Sequence, residues 1–282
     1  MLLGWSVEPA VTIPVSAAAT LYWLGWRRLT RRMPERFSTS RAIAFMAGLA
    51  IVVLALCSPL DALGHHLLQA HMIQHMLLML VAPPLLWAGA PTAPLLMGMP
   101  RSARRGAAMI LAAPAVRRSL TFLTHPAVSW IAFVIAFWAW HVPALYELAL
   151  SEDAWHHVEH LCFFATALLF WRPVILSWPA RLPWPRWAMI PYLVLAEVQN
   201  AALAAFFTFS ERVIYRGYES ARPPWGLTPL EDQSLAGVIM WVPGSLAFLL
   251  PLLWLVITAV LPPGQKREGI GTVGVQSALR RR

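Results

Sequence analysis

The stretch SPLDALGHHLLQAHMIQHMLLMLVAPPLLWAGAP, from Ser58 to Pro91, contains an apolar run from His66 to Gly89 that no Asp, Glu, Lys or Arg interrupts. A hydrocarbon core about 30 Å thick needs roughly 20 residues of helix rising 1.5 Å each. The run has that length, so it reads as a membrane span. Six further runs resemble it: Pro9 to Trp26, Ala42 to Leu60, Ala127 to Leu148, Trp155 to Trp178, Trp187 to Phe209 and Ser234 to Leu261. The sequence therefore predicts an all-α, polytopic transmembrane bundle of seven spans. It divides into a membrane domain over 1–262 and a basic tail over 263–282.

Composition agrees with lipid as the solvent. Of 282 residues, 59% are apolar and 12% are Asp, Glu, Lys or Arg, against about 25% charged residues in soluble domains. The net charge of +9 would suggest a nucleic-acid partner in a soluble protein, but the basic residues lie between apolar runs and no nucleic acid is implied. Six lie between Arg27 and Arg41, five between Arg101 and Arg118, three between Arg172 and Arg186, and five between Lys266 and Arg282. With seven spans all nineteen share one face, leaving Arg212, Arg216 and Arg222 opposite. The positive-inside rule makes the richer face cytoplasmic, with the amino terminus outside and the carboxyl terminus in the cytoplasm. No Lys or Arg precedes Arg27, so the first run is read as a retained span, since a signal peptide carries a positive leader. Cys57 and Cys162 lack a C-x-x-C spacing and read as small packing residues.

On this topology eight of the nine histidines lie in or near the outer half of the membrane, and His125 is the exception. Span three carries His71 and His75, span five His156 and His160, each pair at i and i+4 and so on one helix face. Glu159 projects from the same broad face as His156 and His160, and His141 reaches the outer surface on span four. Ionisable side chains inside spans are costly and mark functional sites, so these residues form a candidate metal or cofactor site. His65, His66 and His157 read as headgroup contacts. Imidazole suits zinc, copper, iron and nickel, and thioethers shift the preference toward cuprous copper. Met72, Met76 and Met240 thus raise copper above zinc. Haem b is the rival cofactor, because histidines on two helices can supply both axial ligands.

Span six carries Glu197, Gln199 and Asn200 near mid-bilayer. Glu197 and Asn200, with His157, are expected around the site. Pro243 and Gly244 should kink or unwind span seven, and Pro83 and Pro84 should interrupt span three. The run His156-His157-Val158-Glu159-His160 matches the H-x-x-E-H pattern of zinc proteases. A second histidine pair on another span is foreign to that pattern, which makes an intramembrane metalloprotease the weakest reading.

Four stretches resemble the multi-span CtaG-type assembly factors found with caa-type cytochrome c oxidases: Ser58 to Pro91, HVPALYELAL from His141, WHHVEHLCFFATALLFWRPV from Trp155, and LEDQSLAGVIMWVPG from Leu230. The resemblance implies a bacterial inner-membrane protein that assists assembly of haem-copper oxidase by handling copper for its catalytic subunit. A copper donor protein and the lipid bilayer are further partners on this reading. It places family histidines at His71, His75, His141, His156 and His160, with Glu159 beside them and Met240 in the M-W-x-P-G stretch. Neither a nucleophile with its base nor a phosphate loop is visible, so no enzyme is expected. The alternative is a b-type haem electron carrier.

Overall fold

Prolines open six of the thirteen α-helices, and every element among the described residues is helical. The computed structural model describes residues 4–178, 184–219 and 226–260, among which no strand occurs. Proline lacks an amide donor that the first helical turn does not use, and its fixed φ suits that position. Pro9, Pro59, Pro114, Pro126, Pro143 and Pro229 each start a helix. The chain forms α1 (Pro9–Thr30), α2 (Thr39–Cys57), α3 (Pro59–Gly64) and α4 (Leu68–Met76), which passes through a π turn (Leu77–Val81) into α5 (Ala82–Ala88). Next come α6 (Thr92–Gly98), α7 (Arg101–Ala112), α8 (Pro114–Leu123), α9 (Pro126–Trp140), α10 (Pro143–Ser151) and α11 (Asp153–Ile175). The long helices α12 (Met189–Phe209) and α13 (Pro229–Val260) end the described chain. Arg181, Arg222 and the expected basic tail over 263–282 lie outside the described residues.

Among the described residues, five helical stretches are long and apolar enough to cross a membrane: Thr39–Cys57, Leu68–Ala88, Asp153–Ile175, Arg186–Phe209 and Pro229–Thr258. The pair α8 and α9, bent by 64° at their junction, makes a sixth if taken as one span.

Three expectations need correction. Span four is not one run from Ala127 to Leu148, because α9 stops at Trp140 and α10 starts at Pro143. A proline disfavours helical backbone in the residue before it, and Val142 is accordingly extended, with ψ of 127°. Span three is not broken at Pro83 and Pro84. The π turn absorbs them: the Ala82 N–H donates to Leu77 O, five residues back. Pro83 cannot donate to Met79 O, and the Trp171 indole N–H takes that carbonyl at 2.8 Å. Nor does α13 unwind at Pro243 and Gly244, for the helix runs unbroken through both. A Cβ on Gly244 would come within 2.8 Å of Asn200 Nδ2, so glycine there lets Asn200 donate to Met240 O at 3.2 Å.

Between helices in lipid there is little hydrophobic drive, and packing with hydrogen bonds must hold the bundle. The larger apolar cluster joins α4, the π turn and α9 to α13, through Phe133, Phe163, Phe170, Trp171, Leu193 and Phe248 among others. The smaller one joins α1, α2 and α5 through Tyr22, Phe45 and Leu86. Aromatic donors reach backbone carbonyls across the helices: Trp87 to Leu168 O at 2.8 Å, Trp130 to Tyr192 O at 3.1 Å, Tyr192 to Phe170 O at 3.0 Å and Tyr22 to Gly89 O at 2.8 Å. Cys57 and Cys162 are free thiols in α2 and α11.

Candidate metal centre

The site is built on α4 and α11, and α4 is held at its start and on its flank. Its first amide donors come from Leu68 and Gln69, which donate to Asp232 Oδ2 at 2.7 Å and Oδ1 at 3.4 Å. A carboxylate there satisfies orphan N–H groups and favours the helix dipole. On its flank the fully buried Gln74 donates to Ala55 O at 2.9 Å and Asp61 Oδ1 at 2.7 Å. Anchored in this way, α4 turns His71 and His75 toward α11.

From α11 come His156, Glu159 and His160. The Glu159 carboxylate is 0% exposed and lies between the two helices. Its Oε2 is 3.5 Å from His71 Nε2, and its Oε1 is 3.8 Å from His75 Nε2. Ligand atoms of His71, His156, Glu159 and His160 all lie within 4.8 Å of one another. The imidazoles pack tightly: His71 is 4.1 Å from His75 and 5.3 Å from His156, and His156 is 4.3 Å from His160.

Both ring nitrogens of His71 and His75, Nε2 of His156 and His160, and both oxygens of Glu159 are buried without a hydrogen-bond partner. Each such atom costs about 1–3 kcal/mol when desolvated and unpaired. The packing of the protein leaves them unsatisfied together, and the convergent set within them is that of His71, His156, Glu159 and His160, with His75 beside it. Neutral imidazoles and a carboxylate offer lone pairs, and convergent lone pairs bind a cation.

Three tyrosines close the cluster on the side of the loop before α13. Tyr146 stacks on Tyr215 at 3.7 Å and lies 5.2 Å from His71. Its hydroxyl meets that of Tyr218 at 3.1 Å, and Tyr218 donates to Gly64 O at 2.7 Å. Tyr215 donates to His141 O at 3.0 Å. Burial pushes the phenols of Tyr215 and Tyr218 above their ordinary range, so both act as donors. Gln233 secures this loop by accepting from Ile214 N–H at 2.7 Å and donating to Arg212 O at 2.9 Å.

The family described as cytochrome c oxidase caa3 assembly factor matches residues 20–260, which takes in every residue of this cluster. The chain belongs to that family. Among curated proteins it is similar to uncharacterized proteins of Mycobacterium bovis and Mycobacterium tuberculosis, each 27% identical over 255 residues. A third, from Mycobacterium leprae, is 24% identical over 253 residues. These alignments cover 86%, 86% and 84% of the chain but only 37%, 37% and 36% of the relatives, so the chain spans little more than a third of their length. No solved structure matches.

The remaining candidate residues lie at different removes from the cluster. His141 is buried, its Nδ1–H donating to Phe137 O at 2.6 Å and its Nε2 unpartnered. It borders the cluster across Phe163, 6.0 Å from that ring, which is itself 4.6 Å from His75. Met72 and Met240 line a small apolar cavity with Leu68, Phe207, Tyr215 and Ala236. His157 is exposed and bonded to Asp153 O at 2.7 Å, away from its neighbour His156. On the α12–α13 interface Glu197 pairs with Ser245, and Asn200 with the Met240 carbonyl.

Sequence reasoning missed His65, whose ring is 4.8 Å from His156 and which therefore touches the cluster. It also missed Asp232, Gln74 and the tyrosines. Asp232 carries one signal, an acidic residue in the first turn of a span, where it should cap; it caps α4 instead of its own helix.

Proposed function

We propose that this assembly factor binds copper between α4 and α11 and delivers it to the catalytic subunit of a haem-copper cytochrome c oxidase, without catalysing a reaction of its own. The observation that carries the reading is the buried set of four imidazoles and one carboxylate that lack other partners. Copper is the cargo here. His71, His75, His156, His160 and Glu159 would hold it, and His141, Met72 and Met240 stand next in line as it moves. Nitrogen donors with thioethers nearby favour copper over zinc.

On this proposal the chain crosses a bacterial inner membrane seven times, with its amino terminus outside and its basic tail in the cytoplasm. The metal site then lies in the outer half of the bundle beneath the tyrosine cover, on the side from which an external copper donor protein would approach. Two rival readings use the same residues less well. A b-type haem needs a flat slot between two imidazoles, whereas here His71 stacks on His156 and the rings meet Tyr146 and Phe163 edge to face, which leaves no such slot. A metalloprotease needs the Glu of H-x-x-E-H open to a peptide bond, whereas Glu159 is enclosed by imidazoles.

The test is a deletion strain complemented with single variants. Without the protein, cells should make oxidase polypeptide and haem but show low oxidase copper and activity, partly restored by added copper. His71→Ala, His75→Ala, His156→Ala and His160→Ala should each behave like the deletion, because removing one ligand disorganises the others. Oxidase with full copper and activity in the deletion strain would end this proposal.

A further inference from the structure

The consecutive helices α7 and α8 take no part in the bundle core: neither contributes a single buried residue. Both are nonetheless strongly two-faced. On α7, Arg101, Arg104 and Arg105 share a face at i, i+3 and i+4, while Ile110 lies opposite and Met109 and Leu111 flank it. On α8, Arg117, Arg118 and Thr121 share a face, and Val116, Leu120 and Leu123 lie opposite. The apolar side chains opposite the arginines are open, with Ile110 62%, Leu120 42% and Leu123 43% exposed.

Charge and direction together say what covers those faces. Five arginines lie in these two helices, and no Asp or Glu occurs in the sequence between Asp61 and Glu147. Among the described residues none of the five forms an ion pair. The axis of α8 turns 64° from that of α9, so if α9 stands across the bilayer, α8 lies close to its plane. An amphipathic, arginine-rich helix in that attitude buries its apolar face at the boundary between headgroups and acyl chains.

We infer that α7 and α8 form an interfacial anchor that recognises anionic phospholipid, with Ile110, Leu120 and Leu123 in the acyl region, Met109 and Phe122 at its boundary, and the five arginines on lipid phosphates. Its partner is the bilayer surface, and the consequence is a bundle fixed in depth and tilt from its basic side. This inference is independent of the metal site.

The full chain, with Cys57 and Cys162 replaced by Ala, is spin-labelled singly at Ile110→Cys, Leu120→Cys, Ala108→Cys or Thr121→Cys; Ala108 lies between the arginines of α7, at i+3 from Arg105 and i+4 from Arg104. It is reconstituted in vesicles of phosphatidylcholine with or without phosphatidylglycerol. Labels at 110 and 120 should be more accessible to oxygen than to a water-soluble nickel chelate, and those at 108 and 121 the reverse. An arginine near an anionic surface strengthens binding by roughly fivefold. Changing all five arginines to Gln should therefore cut the preference for phosphatidylglycerol in the lipid shell by about twofold or more, with the bundle's thermal unfolding unchanged. Water access at both faces would overturn the inference. So would a second copy covering the apolar face, seen as spin coupling between labels at 110, or an unaltered lipid preference in the Gln variant.

Discussion

Glu159→Gln separates a ligand role from a structural one. The substitution keeps shape and volume, removes one negative charge, and leaves an amide where the carboxylate faces His71 at 3.5 Å and His75 at 3.8 Å. Two unit charges 4 Å apart interact by about 4 kcal/mol at an effective dielectric of 20, the value suited to protein sites. A bound cation should lose about 3 kcal/mol of that attraction, equivalent to roughly a hundredfold in affinity. The metal-free protein should respond in the opposite sense. Its carboxylate is fully buried without a hydrogen bond, and an unpaired buried charge is costly, so Gln should leave thermal stability equal or higher. Copper affinity is read by competition with a chelator under reducing conditions, and stability from thermal unfolding in detergent. Affinity within threefold of the unaltered protein, or a metal-free variant destabilised by more than about 2 kcal/mol, would refute the argument and make Glu159 a structural residue.

His75→Ala and His160→Ala should each lower bound metal strongly, while His125→Ala, beside Trp184, should leave metal content unchanged by elemental analysis. Reporter fusions should place the segment holding Arg101 in the cytoplasm and that holding Arg216 outside; both on one face would exclude seven spans. Asp232→Ala leaves the α4 amides of Leu68 and Gln69 unpaired and should cost about 1–2 kcal/mol in thermal unfolding, with a matching loss of metal affinity as α4 loosens.

The helices were legible because their signal is local. A long apolar run reads as a helix whatever surrounds it, and the starts at Pro9 and Trp187 fall within a residue of the observed ones. The break at His141 was hidden because Pro143 and its neighbours remain apolar, and hydropathy does not register backbone geometry. At the candidate site, i and i+4 spacing pairs His71 with His75 and His156 with His160, yet it cannot say that the two pairs meet. That meeting, and the placing of Glu159 between them, depends on packing between residues almost ninety positions apart. The tyrosine cover depends on more distant contacts still, since Tyr218 reaches Gly64 across 154 positions. Asp232 was invisible for the same reason: its partner Leu68 lies 164 residues away.

The π turn at Leu77–Val81 also sets the phase of its helix. It places an additional residue in a helix that would otherwise advance about 100° per residue, so the His-bearing half and the proline-bearing half are out of phase by that angle. Each half can thereby face its own neighbour, α4 toward Glu159 and α5 toward α2. The turn acts as a rotational offset, and the aim of His71 and His75 is stored in a residue count rather than in any side chain. Deleting one residue from Leu77–Val81 would remove no ligand, yet would oblige either the histidines or α5 to turn away from its partner.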